Sequence, residues 1–163
     1  MNPPASLRVS IVGMGRTGTR AARRLLAAEP DIALTLYDIE PDRCEDFRGS
    51  ATLATSAREA LAESDTIVLA LPREREIDRT LERFSDGHVT APVAGKLIVD
   101  LEPPSAERAR RLDQAIVEAG GRYICAPLPG AAAPGSAEAR LLLALAFSAS
   151  AAPPPRTAPA SRS

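Results

Sequence analysis

Three glycines, Gly13, Gly15 and Gly18, stand in the spacing G-x-G-x-x-G directly after an apolar run, and an acid, Asp38, follows twenty residues beyond the last of them. Each suits one part of a single task. Gly13 allows a tight turn out of a strand. Gly15 has no side chain, so a pyrophosphate can approach the backbone. Gly18 lets the next helix pack closely on a sheet. The start of that helix offers unpaired N–H groups and the positive end of the helix dipole to phosphate. Met14, Arg16 and Thr17 complete the turn, and the side chains of Arg16 and Thr17 can add hydrogen bonds there. Asp38 closes the next predicted strand, where a carboxylate accepts hydrogen bonds from ribose hydroxyls and repels a 2′-phosphate. The set reads as a dinucleotide-binding unit, with NAD favoured over NADP. The plainer alternatives are a glycine turn without a ligand and, for Asp38, a solvated turn residue beside Pro41. Arg43, five residues beyond Asp38, complicates the preference between the two cofactors. Leu71 and Pro72 close a later strand. Proline lacks an N–H and takes the chain out of the sheet. The pair serves either as the bed of the nicotinamide-side ribose or only as a strand stop.

These residues need a scaffold of alternating strands and helices. Apolar runs predict strands at residues 8–12, 32–37, 52–53, 66–71, 97–99 and 123–126. Helical periodicity predicts helices at 17–28, 57–63, 77–84 and 105–119, with a short one opened by Pro41 and ending near Gly49. In the first of these, Ala21, Ala22, Leu25 and Leu26 recur at helical spacing and the arginines take the other face. Ser56 and Glu59 form a capping-box pattern. The succession predicts an α/β fold of the Rossmann type, a doubly wound, mostly parallel sheet. Its ligand crevice lies at the carboxyl ends of the strands, the rim shared by Gly13, Asp38, Pro72, Asp100 and Pro127. Residues 128–138 read as loop, and 140–147 are apolar but too short to classify by period. The domain is expected to span 1–147, and 148–163, rich in Ala, Pro, Ser and Arg, to be disordered.

Composition narrows the function further. The chain has 163 residues and a net charge of -1, which points away from nucleic acid and from anionic membranes. Its two cysteines, Cys44 and Cys125, form neither a metal spacing nor a disulfide framework. No basic leader followed by an apolar stretch opens the chain, and its longest apolar run, 141–147, is too short for a bilayer. A cytoplasmic protein is expected. Lys96 is the only lysine and His88 the only histidine. Both precede the fifth strand, at the end opposite the ligand rim, and read as solvated loop residues. No catalytic residue and no metal ligand are assigned.

Four separated segments together resemble the N-terminal domain of the β-hydroxyacid dehydrogenases, the group of 3-hydroxyisobutyrate and 6-phosphogluconate dehydrogenases and of imine reductases. They are Gly13-Met-Gly-Arg-Thr-Gly18, Ser64-Asp-Thr-Ile-Val-Leu-Ala-Leu-Pro72, Gly95-Lys-Leu-Ile-Val-Asp-Leu101 and Ala126-Pro-Leu-Pro-Gly130, covering residues 7 to about 145 in the right order. The resemblance implies NAD(P)-dependent oxidation of a 3-hydroxy acid, or a related reduction. It also exposes departures. Where the family has Asp-x-Ser-Thr, this chain has Asp100-Leu-Glu102-Pro103. Where the family anchors the substrate carboxylate on serine and glycines, this chain has Pro129, Gly130 and Ala131, which leaves the backbone around Gly130 as the anchor of a small carboxylate substrate. The family's C-terminal helical domain, with its catalytic lysine, is absent from this stretch. The resemblance thus implies a truncated oxidoreductase unfit for catalysis alone, or a nucleotide-binding module completed by a partner. Uncovered apolar surface would favour a homo-oligomer or a partner chain.

Overall fold

The first strand, β1 (Arg8–Val12), carries four buried residues in a row after Arg8. Such a run suits the centre of a sheet covered on both faces, because successive side chains point to opposite sides. In the structure, a computed structural model describing residues 7–102, 105–125 and 136–149, β1 is central. The chain continues through α1 (Arg16–Ala28), β2 (Ala33–Tyr37), a 3₁₀ helix (Pro41–Phe47), β3 (Thr52–Leu53), α2 (Ala57–Ala62) and β4 (Thr66–Leu69). Then follow α3 (Glu74–Thr80), β5 (Leu97–Asp100), α4 (Ala106–Glu118), β6 (Arg122–Cys125) and α5 (Ala137–Ala149). All strand pairings are parallel, in the order β3-β2-β1-β4-β5-β6. The doubly wound sheet expected from the sequence is what forms.

The strands divide their side chains between two cores. Val9, Ile11, Val68, Leu97 and Val99 meet Ala21, Ala22 and Leu25 of α1 and Leu141, Leu142 and Leu145 of α5. Ile67, Leu69 and Ile98 face the other way, onto Leu61 of α2, Ile77 of α3, and Leu112 and Ile116 of α4. The order of strands reverses between β1 and β4, so the crossovers leave on opposite faces there and a crevice opens above their carboxyl ends.

Several elements depart from expectation for local reasons. β4 ends at Leu69, not residue 71: Ala70 still donates to the Val12 carbonyl at 2.9 Å, and the chain then turns away at Pro72. α3 begins at Glu74, three residues before the expected start, because Glu74 and Glu76 suit the positive end of a helix dipole. It gives out after Thr80, and Glu82 sits in the left-handed region at φ 50°. The capping box is half made. Ser56 accepts from the Glu59 N–H at 3.0 Å, but Glu59 reaches back to the N–H and hydroxyl of Thr55 rather than to Ser56. Residues 137–149 form a helix capped by Ser136, which accepts from the Ala139 N–H at 3.0 Å; its first two residues were expected as loop and its last two in the tail. Lys96 is not a solvated loop residue. Its ammonium caps the carboxyl end of α2, donating to the carbonyls of Leu61 and Ala62, and burial lowers its pKa. His88 is exposed, as expected. Gly130, Pro127 and residues 150–163 lie outside the described residues.

Candidate functional site

A cleft of about 310 Å³ opens where the strand order reverses. Gly13, Gly15, Arg16, Thr17, Asp38, Leu71 and Pro72 all line it. The expected site residues from three separate chain segments therefore share one cavity. Two others lie beneath it. Met14 buries its side chain in the core, and Gly18 is buried under the turn.

The two structural glycines are explained by close approach. Gly13 has φ +99°, and its N–H donates to the Tyr37 carbonyl at 2.9 Å. A Cβ there would stand 2.4 Å from the Ala70 carbonyl oxygen. A Cβ on Gly18 would stand 1.8 Å from the Gly13 carbonyl oxygen. Gly15 differs. It precedes α1 with φ -72° and ψ -157°, an extended conformation open to any residue, and a Cβ there would meet nothing within 4 Å among the described residues. The fold by itself does not require glycine at 15. The space its side chain would fill lies at the start of α1, which no side chain caps and whose first turn holds no acid. Those first N–H groups have no helical partner. This is the surface a pyrophosphate needs.

Asp38 leaves the end of β2 and is only 8% exposed. Its carboxylate is fixed by two backbone donors: Met14 N–H to Oδ2 at 2.7 Å, and Glu40 N–H to Oδ1 at 2.8 Å. Each carboxylate oxygen retains a second acceptor position for a ribose hydroxyl. The Met14 bond also ties the end of β2 to the glycine turn, a role that sequence spacing did not reveal. Arg43 lies 3.8 Å from Asp38 and 2.8 Å from Glu40, so its charge is shared between two carboxylates.

The cleft also holds acids that the motif did not point to. Glu102 Oε1 accepts the Thr17 hydroxyl at 2.8 Å, setting a negative charge beside the start of α1. Its N–H in turn donates to Asp100 Oδ1 at 3.1 Å. Asp100 is fully buried, and burial pushes its pKa up to about 6. The Tyr123 hydroxyl, donating at 2.8 Å, moderates that rise; burial and Asp100 push the tyrosine's own pKa well above its ordinary value. On the opposite wall, Glu76 and Thr80 stand four residues apart on one face of α3, and Arg79 lines the cleft beside them. The sequence signal for Glu76 was its helical spacing from Thr80, hidden because the helix was expected to start at Ile77. Among the described residues no cluster of His, Cys, Asp or Glu could hold a metal, and no helix is long and apolar enough to cross a membrane.

Known proteins resemble this chain in sequence and in fold. Residues 8–151 match the family described as the NAD binding domain of 6-phosphogluconate dehydrogenase. The chain is 29% identical over 125 residues to 2-hydroxy-3-oxopropionate reductase of Escherichia coli (strain K12), covering 76% of this chain and 41% of that protein. It is 26% identical to mitochondrial 3-hydroxyisobutyrate dehydrogenase of Mus musculus, covering 75% of this chain and 36% of the relative. Among solved structures it resembles an imine reductase from Myxococcus stipitatus in complex with NADP+, with a TM-score of 0.63 at 24% identity, over 72% of this chain and 39% of that one. A reductive aminase from Aspergillus terreus matches with the same TM-score and identity, over 74% of this chain and 41% of that one. The chain thus spans about two fifths of the length of the relatives it matches. With its all-parallel sheet, its glycine turn and its matched span, the chain belongs to the family of the 6-phosphogluconate dehydrogenase NAD binding domain.

Proposed function

We propose that this cleft binds NAD in preference to NADP, as the cofactor-binding part of an oxidoreductase interconverting a 3-hydroxy acid and its semialdehyde or keto acid. The observation that carries the reading is the Asp38 carboxylate, buried and held by two backbone N–H groups on the same cleft as Gly15. A carboxylate fixed there accepts ribose hydroxyls and repels a 2′-phosphate. Arg43 does not reverse the preference, because its guanidinium is already engaged by Glu40 and Asp38. The pyrophosphate would lie over Gly13 and Gly15 against the N–H groups of Arg16 and Thr17. Leu71 and Pro72 would bed the nicotinamide-side ribose, and Gly130 would hold the substrate carboxylate. Bound NAD supplies the hydride acceptor, and the residues here bind and orient it.

Proton transfer needs a group at the substrate. The chain's one lysine caps α2, so we propose that turnover requires a segment or partner chain that brings one to the cleft. Two free thiols, one of them buried, fit a reducing cytoplasmic compartment. Calorimetric titration with NAD and NADP tests the binding, and an assay on 3-hydroxy acids tests the catalysis. NAD is expected to bind at least tenfold tighter than NADP, without turnover. Equal binding, or preference for NADP, would remove Asp38 as the ribose ligand, and turnover by this chain alone would refute the need for a second component.

A further inference from the structure

Arg16, Arg20, Arg23 and Arg24 form a stripe on α1 that neither the core nor the cofactor accounts for. At 3.6 residues per turn the four fall within about 100° of arc, opposite Gly18, Ala21, Ala22 and Leu25, which α1 buries. They frame an open concavity of about 440 Å³, lined besides only by Thr19 among the described residues. No hydrogen bond or ion pair engages any of the four among those residues, and α1 contains no acid. Elsewhere arginines find partners: Arg48 on Glu45, Arg108 on Glu74 and Asp78, Arg140 on Glu29. The stripe works against its own helix. Arg16 with Arg20, and Arg20 with Arg24, are like charges one turn apart, and Arg16 sets a cation at the positive end of the helix dipole. An anion seated on the stripe would relieve each of these repulsions.

We infer that this face of α1 docks an acidic helical segment of a partner protein, at the mouth of the cleft. A guanidinium fork pairs with a carboxylate through two parallel hydrogen bonds. The stripe runs about 12 Å from Arg16 to Arg24, and the one-turn spacing of Arg16, Arg20 and Arg24 matches carboxylates one turn apart on a facing helix. The charge of the whole chain favours a short acidic segment over a nucleic acid. Without these four arginines, 16 basic side chains stand against 21 acidic ones, a net charge of -5. A long polyanion would meet that repulsion on either side of the stripe. A short segment stays within the distance over which exposed charges act, about 10 Å at about 0.1 M salt. Arg16 lines the cleft as well as the stripe, so a partner seated here lies beside the dinucleotide site. That is the place a second component must reach to bring a lysine to the cleft. The docking itself does not depend on the NAD reading.

Titrating the full chain, without NAD, with a synthetic helical peptide tests this. The peptide carries four glutamates on one face at the arginines' own spacing; a second peptide of the same composition spreads them around the helix. The first is expected to bind at low salt, about fivefold or more tighter than the second, and to weaken about tenfold or more between about 50 and about 500 mM salt. The double variant Arg20→Glu and Arg24→Glu should lose about tenfold or more in affinity, with Arg16 left in place because it lines the cleft. The double variant Arg75→Glu and Arg110→Glu makes the same change of net charge on exposed positions of α3 and α4, and should stay within about twofold of the wild type. No binding by the wild type, equal binding of the two peptides, or equal losses in the two variants would overturn the proposal. So would tighter binding of a short DNA duplex that the Arg20 and Arg24 variant abolishes, which would assign the stripe to nucleic acid, or self-association abolished by the same variant, which would assign it to a second copy of the chain. The two peptides on the wild type decide the matter even if a variant does not fold.

Discussion

Placing a single methyl group at Gly15 or at Gly18 separates the two tasks of the glycine turn. At Gly18 the new Cβ would stand 1.8 Å from the Gly13 carbonyl oxygen and 2.9 Å from its carbon. Ordinary contact begins near 3.4 Å, so about 1.6 Å of separation must be found. Neither partner is a flexible side-chain tip. Gly13 is held by its bond to Tyr37 and has its own close approach to Ala70. The displacement therefore falls on α1, whose Ala21, Ala22 and Leu25 would lose their seats on the sheet. Overpacking of this kind costs about 1–3 kcal/mol, occasionally more, and at roughly 2–4 °C per kcal/mol the melting temperature should fall by up to about 12 °C. At Gly15 the methyl meets nothing within 4 Å among the described residues, and the backbone is extended. Gly15→Ala should therefore stay within about 0.5 kcal/mol of the wild type, yet place a methyl where the phosphates approach and raise the Kd for NAD about tenfold or more. Thermal melting and calorimetric titration of both variants give the two readouts. A Gly15→Ala chain that keeps wild-type affinity would refute the phosphate role, and a Gly18→Ala chain as stable as the wild type would refute the close contact of α1 with the turn.

Asp38→Asn keeps one acceptor oxygen but offers an NH₂ group where one of the two backbone donors now points, so it should cost about 1–2 kcal/mol of stability as well as NAD affinity; denaturant titration showing no loss would refute the tie between β2 and the glycine turn. Asp38→Arg should shift preference toward NADP, measured as the ratio of the two affinities. Asp100 has a folded pKa raised to about 6 from an ordinary 3.8. The folded state thus holds the extra proton between these values, and stability falls as pH rises from about 4 to about 6, by roughly 2–3 kcal/mol. Asp100→Asn should flatten that slope in denaturant titrations, its amide pairing with Tyr123 and with the Glu102 N–H; an undiminished slope would assign it to another group. Glu102→Gln keeps the contact with Thr17 and removes a charge beside the phosphate-binding turn, which should strengthen NAD binding by on the order of 1 kcal/mol at low salt and less at high salt. Unchanged affinity would show that the carboxylate stands clear of the phosphates.

What could be read in the chain was what depends on local chemistry. The runs at β1 and β4 are apolar on both faces, so their central place was legible. The spacing from Gly18 to Asp38 predicted a shared rim because one βαβ unit fixes it. The contacts of Thr17 with Glu102, 85 residues apart, had no such signature, since they depend on how β5 lies across the switch point. The contacts of Lys96 escaped notice for a similar reason. A loop lysine is ordinarily solvated, and only the fold brings the carbonyls of Leu61 and Ala62, at the end of α2, within its reach. The helix at residues 137–149 escaped notice because it is apolar around most of its circumference, which erases the helical period, although Ser136 carried a capping signal.

The packing of α5 on α1 sets an order of events for synthesis. Leu141, Leu142 and Leu145 cover the helix that contains Leu25, so more than a hundred residues separate the two sides of one interface. At about 5–20 residues per second, several seconds or more pass between the emergence of the first helix from the ribosome and that of its cover. For that interval the apolar stripe of Ala21, Ala22 and Leu25 is seated at best on an incomplete sheet. A chaperone that recognises short apolar helices would find its opening there, and a nascent chain stalled before residue 141 is the form that should aggregate.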